Sequence, residues 1–307
     1  MLPVPTRALT PTLVQARSQY DQQRRLSLAA LAAIRRLFRL NRRPSVQQIA
    51  ATAGTYQAAS AMLATQTIAG YAGDPSPVTV PQAFAGVSSY GYSLTEPIIA
   101  TIDKHVPAPL EPLPDAWWDD AQKFMADLEQ LILSEVADAG RTASQVEFVT
   151  RPEWTNYVRM LTPPSCDRCA ILAGRIYRDL EEFKRHPLCD CVMVPVTDWQ
   201  DAHDKGLVSS PQDLFDRGLM TGLSKADEQA IRDGADIAQV VNAKRGMVTP
   251  TVFGRTVKAT TIGTTRRAEW RRQNPSRLVR LRPESIYQYA KDREDVIRLL
   301  LLYGYIK

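Results

Sequence analysis

All four cysteines of the chain and one of its three histidines lie together in the segment PPSCDRCAILAGRIYRDLEEFKRHPLCDC. Cys166 and Cys169 form a C-x-x-C pair, His186 and Cys189 repeat that spacing as H-x-x-C, and Cys191 follows two residues later. A C-x-x-C turn lets both sulfurs face one point while nearby backbone N–H groups donate to them, and thiolate with imidazole ligands suits tetrahedral zinc. The spacing therefore predicts a zinc site.

Five candidate ligands compete for the four positions of such a site. Cys189 is preferred because its spacing to His186 reproduces that of the first pair, but Cys191 projects to the same face of an extended backbone and could replace it. Three thiolates and a neutral imidazole leave about one net negative charge on the site, which three arginines are placed to offset: Arg168, Arg175 and Arg185. A site closed by four protein ligands leaves no position for water, so the zinc is expected to be structural. The alternative is a set of free core cysteines.

The composition favours metal over disulfides. The 307 residues are 44% hydrophobic and 23% charged, as in ordinary globular proteins, and the length favours two domains. No apolar run approaches the ~20 residues that cross a bilayer, and the start lacks the order of a signal peptide. We expect a protein made and kept in a cytoplasm, without membrane contact, where clustered thiols usually bind metal.

The elements that must position this cluster are mainly helical. Thr10 and Pro11 predict the cap and first position of a long basic helix that ends at about Leu40. A second helical pattern covers 45–70. Eight prolines in 71–115 predict an extended connector without long regular elements.

Further along the chain, Asp115 caps a helical pattern that we expect to end near Gly140. Partial alternation over 146–161 predicts one or two short strands before the cysteines. Helical patterns begin again at Ser224 and at Pro283. The predicted fold is α+β and mainly α-helical, with a small zinc-stapled module, in four segments: 1–70, a basic helical region; 71–115, the connector; 116–200, a helix plus the Cys/His module; and 201–307, a helical region with a basic arm.

The charge of the chain is uneven, although its net value is only +5. Residues 1–50 hold nine arginines against Asp21, and residues 244–282 hold eleven Lys and Arg against Glu269, so the rest is strongly acidic. Two basic arms could bind phosphates of DNA or an acidic protein surface. The alternative is a solvated helix face and a flexible loop. Trp270 lies among four arginines in the sequence. This composition is compatible with contact to a nucleic acid, but also with a tryptophan covered by the long arginine side chains. The candidate contact residues are Arg35, Arg36, Arg39, Arg42, Arg43, Arg266, Arg267, Arg271 and Arg272.

The pattern around the cysteines resembles the C-terminal domain of Mu F-like phage head proteins. It reads C-x-x-C, then L-A-G-R-x-Y, then R-H-P-x-C-x-C, followed by an apolar strand from Val192 to Pro195. The positions that match the family pattern are Leu172, Gly174, Tyr177, His186, Pro187, Cys189 and Cys191. The match covers roughly residues 145–197, and the layout, with the tail segment DGADIAQVVNAKRG, is similar to the actinobacterial-phage branch of the family.

This resemblance implies a minor capsid protein, low in copy number, in the capsid interior at the portal vertex. Its expected partners are the portal, major capsid and scaffold proteins and, in addition, packaged DNA. The expected role is head assembly, genome delivery or both, without enzymatic activity.

Two other functions stay open. Members of this branch are sometimes labelled capsid maturation proteases, but the sequence has neither H-E-x-x-H nor G-x-S-x-G, and its remaining histidines, His105 and His203, are expected to be solvent-exposed. The second alternative is a zinc-containing nucleic-acid-binding protein unrelated to capsids. A zinc deaminase is not supported, because no H-x-E accompanies the cysteines.

Overall fold

The computed structural model of the protein describes residues 10–74, 76–105, 122–178, 181, 191–252, 254–264, 268–275 and 279–306. The chain divides into two compact units. The first comprises Met1–Thr162 and Gly174–Val208, and the second comprises Pro163–Ala173 and Ser209–Lys307. The described residues are mainly helical with several small sheets, which confirms an α+β, mainly α-helical fold.

Two long capped helices open the first unit. Helix α1 spans Pro11–Leu40, and the side chain of Thr10 accepts the N–H of Leu13 at 3.1 Å, as the Thr-Pro pair predicts. Helix α2 spans Val46–Tyr71 and begins with a capping box between Ser45 and Gln48. Both helices are confirmed within one or two residues of their predicted ends.

The proline-rich segment contains more regular structure than its sequence predicts. A short 3-10 helix covers Pro81–Phe84, and helix α3 covers Thr95–His105. In α3, Pro97 lies in the first turn, where the N–H that proline lacks would have no partner within the helix. Ile98 is fully buried in a core cluster with residues of α2 and of the helix at 122–149. The expectation of an extended connector throughout 71–115 is therefore wrong for 95–105; residues 106–121 lie outside the described part.

Helix α4 spans Gln122–Val149 and passes through Gly140, where we expected it to end. An added Cβ at Gly140 would lie 1.8 Å from Nε2 of Gln23 and 2.6 Å from Oγ of Ser60. Gly140 thus allows close packing of α4 against α1 and α2 and does not cap the helix. Consequently 146–149 is helical, and only 156–161 of the predicted strand region forms a strand. The start predicted at Asp115 lies outside the described residues.

The sheet of the first unit follows α4. Strands β1 (Asn156–Leu161), β3 (Ile176–Arg178) and β4 (Cys191–Val196) form an antiparallel sheet in the order β3-β1-β4. The apolar strand predicted at 192–195 is confirmed as β4. Helix α6 (Trp199–Asp204) follows it, and Leu13 and Ala16 of α1 pack with the sheet and with Ala202 in one cluster.

The second unit begins with strand β2 (Ser165–Cys166) and the four-residue helix α5 (Asp167–Ala170), which lie between β1 and β3 in the chain. Helix α7 (Pro211–Asp216) precedes β5 (Met220–Thr221), which pairs with β2 in parallel. Strands β6 (Met247–Val248), β9 (Ala259–Thr260) and β10 (Arg280–Leu281) form an antiparallel sheet in the order β10-β9-β6. Strands β7 (Thr251–Val252) and β8 (Arg255–Thr256) form a hairpin, and helix α10 (Glu269–Gln273) follows β9.

Two long helices were expected in this unit, beginning at Ser224 and at Pro283. The structure divides each of them into two shorter helices. The first is α8 (Lys225–Arg232) and α9 (Ile237–Asn242), separated at Gly234, whose φ of +101° ends α8. The second is α11 (Pro283–Tyr289) and α12 (Arg293–Leu302), where the Asp292 side chain caps the new start. The helical pattern of apolar residues continues through both regions, but Gly234 and Asp292 interrupt the helices within it.

Candidate functional site

The C-x-x-C pair forms a compact turn at the junction of β2 and α5. Cys166 is the N-cap of α5, and its Sγ accepts the backbone N–H of Cys169 at 3.4 Å. Cys166 is partly exposed and Cys169 is fully buried. A sulfur that already accepts a backbone N–H is held in the arrangement that stabilises a metal-bound thiolate. These two residues fit half of a zinc site.

An ion pair fixes this turn from outside the motif. The carboxylate of Asp167 is buried, accepts the N–H of Arg168 at 2.8 Å and forms an ion pair with Nζ of Lys244. The same Nζ also donates to the carbonyl of Gly222. Lys244 therefore ties α5 to the segment after β5, whereas Arg168 and Arg175, which we expected to offset the charge of the cluster, are exposed.

The third described cysteine, Cys191, is the first residue of β4 and pairs with Leu161 of β1. It is fully buried, and its Sγ accepts a hydrogen bond from Nη1 of Arg159 at 3.4 Å. The guanidinium of Arg159 also lies 5.7 Å from the ring centre of Tyr177, one of the residues that carry the family resemblance. The sulfur of Cys191 thus has a buried guanidinium as its hydrogen-bond donor.

The complete ligand set stays a prediction. Cys166 and Cys169 belong to the second unit and Cys191 to the first, while His186, Cys189 and Arg185 lie outside the described residues. Within the described ranges, no group of three or more His, Cys, Asp or Glu side chains is arranged to hold a metal ion.

The two other histidines differ from each other. His203 is 52% exposed and stacks on Trp199, as expected for a surface histidine. His105 ends α3, is only 16% exposed, and its Nε2 lies 2.8 Å from Oδ2 of Asp127, so the expectation of an exposed residue is wrong there. Hydrogen bonds from Lys104 and His105 lower the pKa of Asp127.

The arginines of the N-terminal arm lie on α1 and just after it. Arg35, Arg36, Arg39, Arg42 and Arg43 are all exposed. Arg35 donates two hydrogen bonds of 2.7 Å to the carboxylate of Glu129 on α4, so part of its charge is already compensated. These arginines are therefore accessible to solvent, and their role as a binding surface stays a prediction.

The second basic segment is only partly an arm. Arg280 and Arg282 are each 1% exposed, and Arg282 forms a buried ion pair with Asp227 at 2.9 Å. Arg280 donates to the carbonyls of Tyr303 and Gly304 at the end of α12. Its pKa is lowered by burial. Counting charges missed these contacts, because two of the basic residues belong to the core.

Trp270 belongs to the same core. It is buried, its Nε1 donates to the carbonyl of Leu302 at 2.9 Å, and its ring stacks with Tyr303. Trp270 is therefore a packing residue, and its ring is not exposed for stacking against nucleic-acid bases. Arg271 is partly exposed and Arg272 is exposed, while Arg266 and Arg267 lie outside the described residues.

Sequence reasoning missed Arg159 and Lys244. Arg159 had a usable signal, because it is the only charged residue of the strand NYVRML, where a buried charge requires a partner. Lys244 had none, since 77 residues separate it from Asp167.

The family model described as VG15 protein matches residues 11–217, about two thirds of the chain. No curated protein and no solved structure matches this chain. Among the described residues, no helix is both long enough and apolar enough to cross a membrane. The matched range contains α1 to α4, the C-x-x-C turn and the sheet β3-β1-β4. The chain therefore belongs to the VG15 protein family, a family of viral and phage proteins.

Proposed function

We propose that this chain is a minor head protein of the Mu F-like type, which associates with the portal vertex and acts in head assembly, genome delivery or both. One observation carries the proposal: the pattern from Cys166 to Cys191 resembles that of Mu F-like head proteins and lies within a chain of a viral and phage family. The C-x-x-C turn and the apolar strand β4, which contain part of this pattern, support the proposal.

A structural zinc ion is the second part of the proposal. Cys166 and Cys169 would supply two thiolates, and His186 with Cys189 or Cys191 would supply the remaining ligands. The N–H of Cys169 supports this assignment, because it already stabilises the sulfur of Cys166. Bound zinc would cross-link the segments that carry its ligands, and Asp167 with Lys244 would hold the first of these segments in place.

The exposed arginines of α1 give the proposal its third part, a contact with packaged DNA or with an acidic surface of the portal. Arg36 and Arg39 lie on the solvent face of the helix, where a phosphate or carboxylate could reach them. Binding through these residues should weaken steeply as salt rises.

Co-expression tests the proposal. The chain is produced with the portal, scaffold and major capsid proteins of its own phage, and assembled particles are separated by sedimentation. Co-sedimentation that requires the portal supports the proposal. A chain that stays at the top of the gradient in the presence of all three proteins contradicts it.

The same experiment distinguishes the alternatives. A capsid maturation protease would shorten the major capsid subunits only when the chain is present, which intact-mass spectrometry detects. A zinc-containing nucleic-acid-binding protein unrelated to capsids would bind DNA tightly as an isolated chain and would not enter particles. Salt-dependent gel shifts identify that outcome.

A further inference from the structure

A tight hairpin projects from the first unit between the short 3-10 helix and α3. Its ends are joined by the N–H of Leu94, which donates to the carbonyl of Gly86 at 2.8 Å, and by a β-bridge between Val87 and Ser93. The N–H of Ser88 donates to the carbonyl of Tyr92, also at 2.8 Å. We call residues 86–94 the tyrosine hairpin, because Tyr90 and Tyr92 lie at its tip.

Two buried polar side chains hold the tyrosine hairpin from below. Gln57 of α2 is fully buried; its Oε1 accepts the N–H of Gly86 and its Nε2 donates to the carbonyl of Val87, both at 2.8 Å. Glu135 of α4 is 4% exposed and accepts the N–H of Ser89 at 2.6 Å and its hydroxyl at 3.1 Å. Leu94 is fully buried in the helical core. The hairpin is thus fixed by specific hydrogen bonds at its base.

The tip of the hairpin faces solvent with its aromatic side chains. Tyr90 is 83% exposed and Tyr92 is 64% exposed. Exposed tyrosines on a rigid turn are typical anchors of protein interfaces, since they supply a large contact area and lose little conformational entropy on binding. Because Gln57 and Glu135 already fix the backbone of the hairpin, little conformational entropy remains to be lost when a partner binds.

The absence of charged residues around the hairpin indicates which class of partner it can bind. Residues 75–95 include no Asp, Glu, Lys, Arg or His, although 23% of the chain is charged. A nucleic acid or an anionic lipid surface is bound through cations, which this segment lacks. The buried core of a protein interface, by contrast, is depleted of charge and enriched in tyrosine.

We propose that the tyrosine hairpin is a docking element that inserts Tyr90 and Tyr92 into an uncharged, apolar pocket on another structural protein of the phage particle. This inference rests on the proposed function, because it requires that the chain assembles with such proteins. The tyrosine hydroxyls would remain at the rim of the pocket, where they can donate to carbonyl groups.

Photo-crosslinking identifies the partner. Tyr90 is replaced by p-benzoylphenylalanine in the full chain, which is co-expressed with the portal, scaffold and major capsid proteins and irradiated in assembled particles. A covalent adduct with one of these proteins supports the inference. An adduct only with a second copy of the chain or with DNA overturns it, and so does the absence of any adduct in particles that contain the chain.

Substitution measures the contribution of the tip. The variant Tyr90→Ala/Tyr92→Ala should keep its melting temperature, because both rings are exposed, and should enter particles at least about tenfold less than the wild type. The control is Leu301→Ala, which removes a side chain that is 49% exposed in the second unit. Equal incorporation of the double variant and the wild type contradicts the docking role alone. A wild-type chain that never enters particles contradicts the proposed function and this inference with it.

Discussion

Nη1 of Arg159 lies 3.4 Å from Sγ of Cys191, on neighbouring strands and in a buried environment. The contact gives Cys191 a buried cationic neighbour. It also bears on the question that the sequence left open, whether Cys189 or Cys191 is the fourth zinc ligand.

The variant Arg159→Met keeps the bulk of the side chain and removes its charge. If Cys191 binds zinc, loss of this neighbour should lower the affinity for zinc by roughly tenfold or more, as is usual for side chains that support a metal ligand. Competition with a chelating dye measures the affinity. Arg168→Met, which alters an exposed arginine of the C-x-x-C turn, is the control. An unchanged affinity in Arg159→Met would remove Cys191 from the ligand set and leave Cys189.

The variants Cys166→Ser and Cys169→Ser should lose zinc and unfold the module that the metal stabilises, since structural zinc contributes on the order of 10 kcal/mol to small sites. Zinc is quantified by mass spectrometry, and thermal unfolding is recorded with and without a chelator. The chelator should lower the melting temperature of the wild type and leave that of the variants unchanged. Retained metal with an unaltered melting curve in either variant argues against the zinc site.

Gly140→Ala should destabilise the first unit, because the new methyl group would overlap the side chains of Gln23 and Ser60, which are themselves hydrogen-bonded to each other. We expect a loss of roughly 1–3 kcal/mol, typical of an overpacked site, although alanine is the better helix former. Chemical denaturation measures the change. The control is Gly70→Ala in α2, an exposed helical position where the nearest atom is the end of the flexible Gln15 side chain. That change should be neutral or stabilising, and equal effects at both positions would contradict the packing argument.

Glu147 links pH to the stability of the first unit. Its buried carboxylate accepts hydrogen bonds from Arg151 and from the N–H groups of Val78 and Thr79. Burial raises the pKa of Glu147, but these hydrogen bonds together outweigh burial and the pKa is lowered. A lowered pKa in the folded state means that the stabilisation is present above the ordinary glutamate pKa of about 4.3 and is lost as the pH falls through the folded-state value.

Glu147→Gln should therefore cost roughly 2 kcal/mol at pH 7 and progressively less as the solution becomes more acidic. The free energy of unfolding is measured in urea at several pH values between 7 and 3. Glu153→Gln, at an exposed position close to the end of α4, is the control. A loss that stays the same at every pH would show that the charge of Glu147 is not what stabilises the unit.

The sequence predicts those elements whose signals are local. The Thr10-Pro11 start of α1 and the Ser45 capping box of α2 depend on neighbouring residues, so both helices could be predicted almost to the residue. Gly140 could not be interpreted in this way, because the reason for a glycine there is the approach of Gln23, more than a hundred residues away. Arg280 and Arg282 were counted as part of a basic arm for the same reason, since the carbonyls and the carboxylate that bind them are distant in sequence.

The candidate site shows the same division. The spacing of Cys166 and Cys169 predicts a turn in which a backbone N–H meets a sulfur, and that contact is present. Which cations accompany the cysteines could not be derived from nearby sequence, because Arg159 and Lys244 reach them through tertiary contacts.

Mass spectrometry of purified particles tests whether this chain is a zinc-containing head protein that depends on the portal. Particles assembled from the co-expressed head proteins are analysed for intact chain, portal and zinc in the same sample. We expect an intact chain that requires the portal for its incorporation and carries about one zinc ion per copy, as a closed site would. Particles of normal composition that lack the chain, or that contain it in equal amount without the portal, would show that it is not a portal-associated head protein.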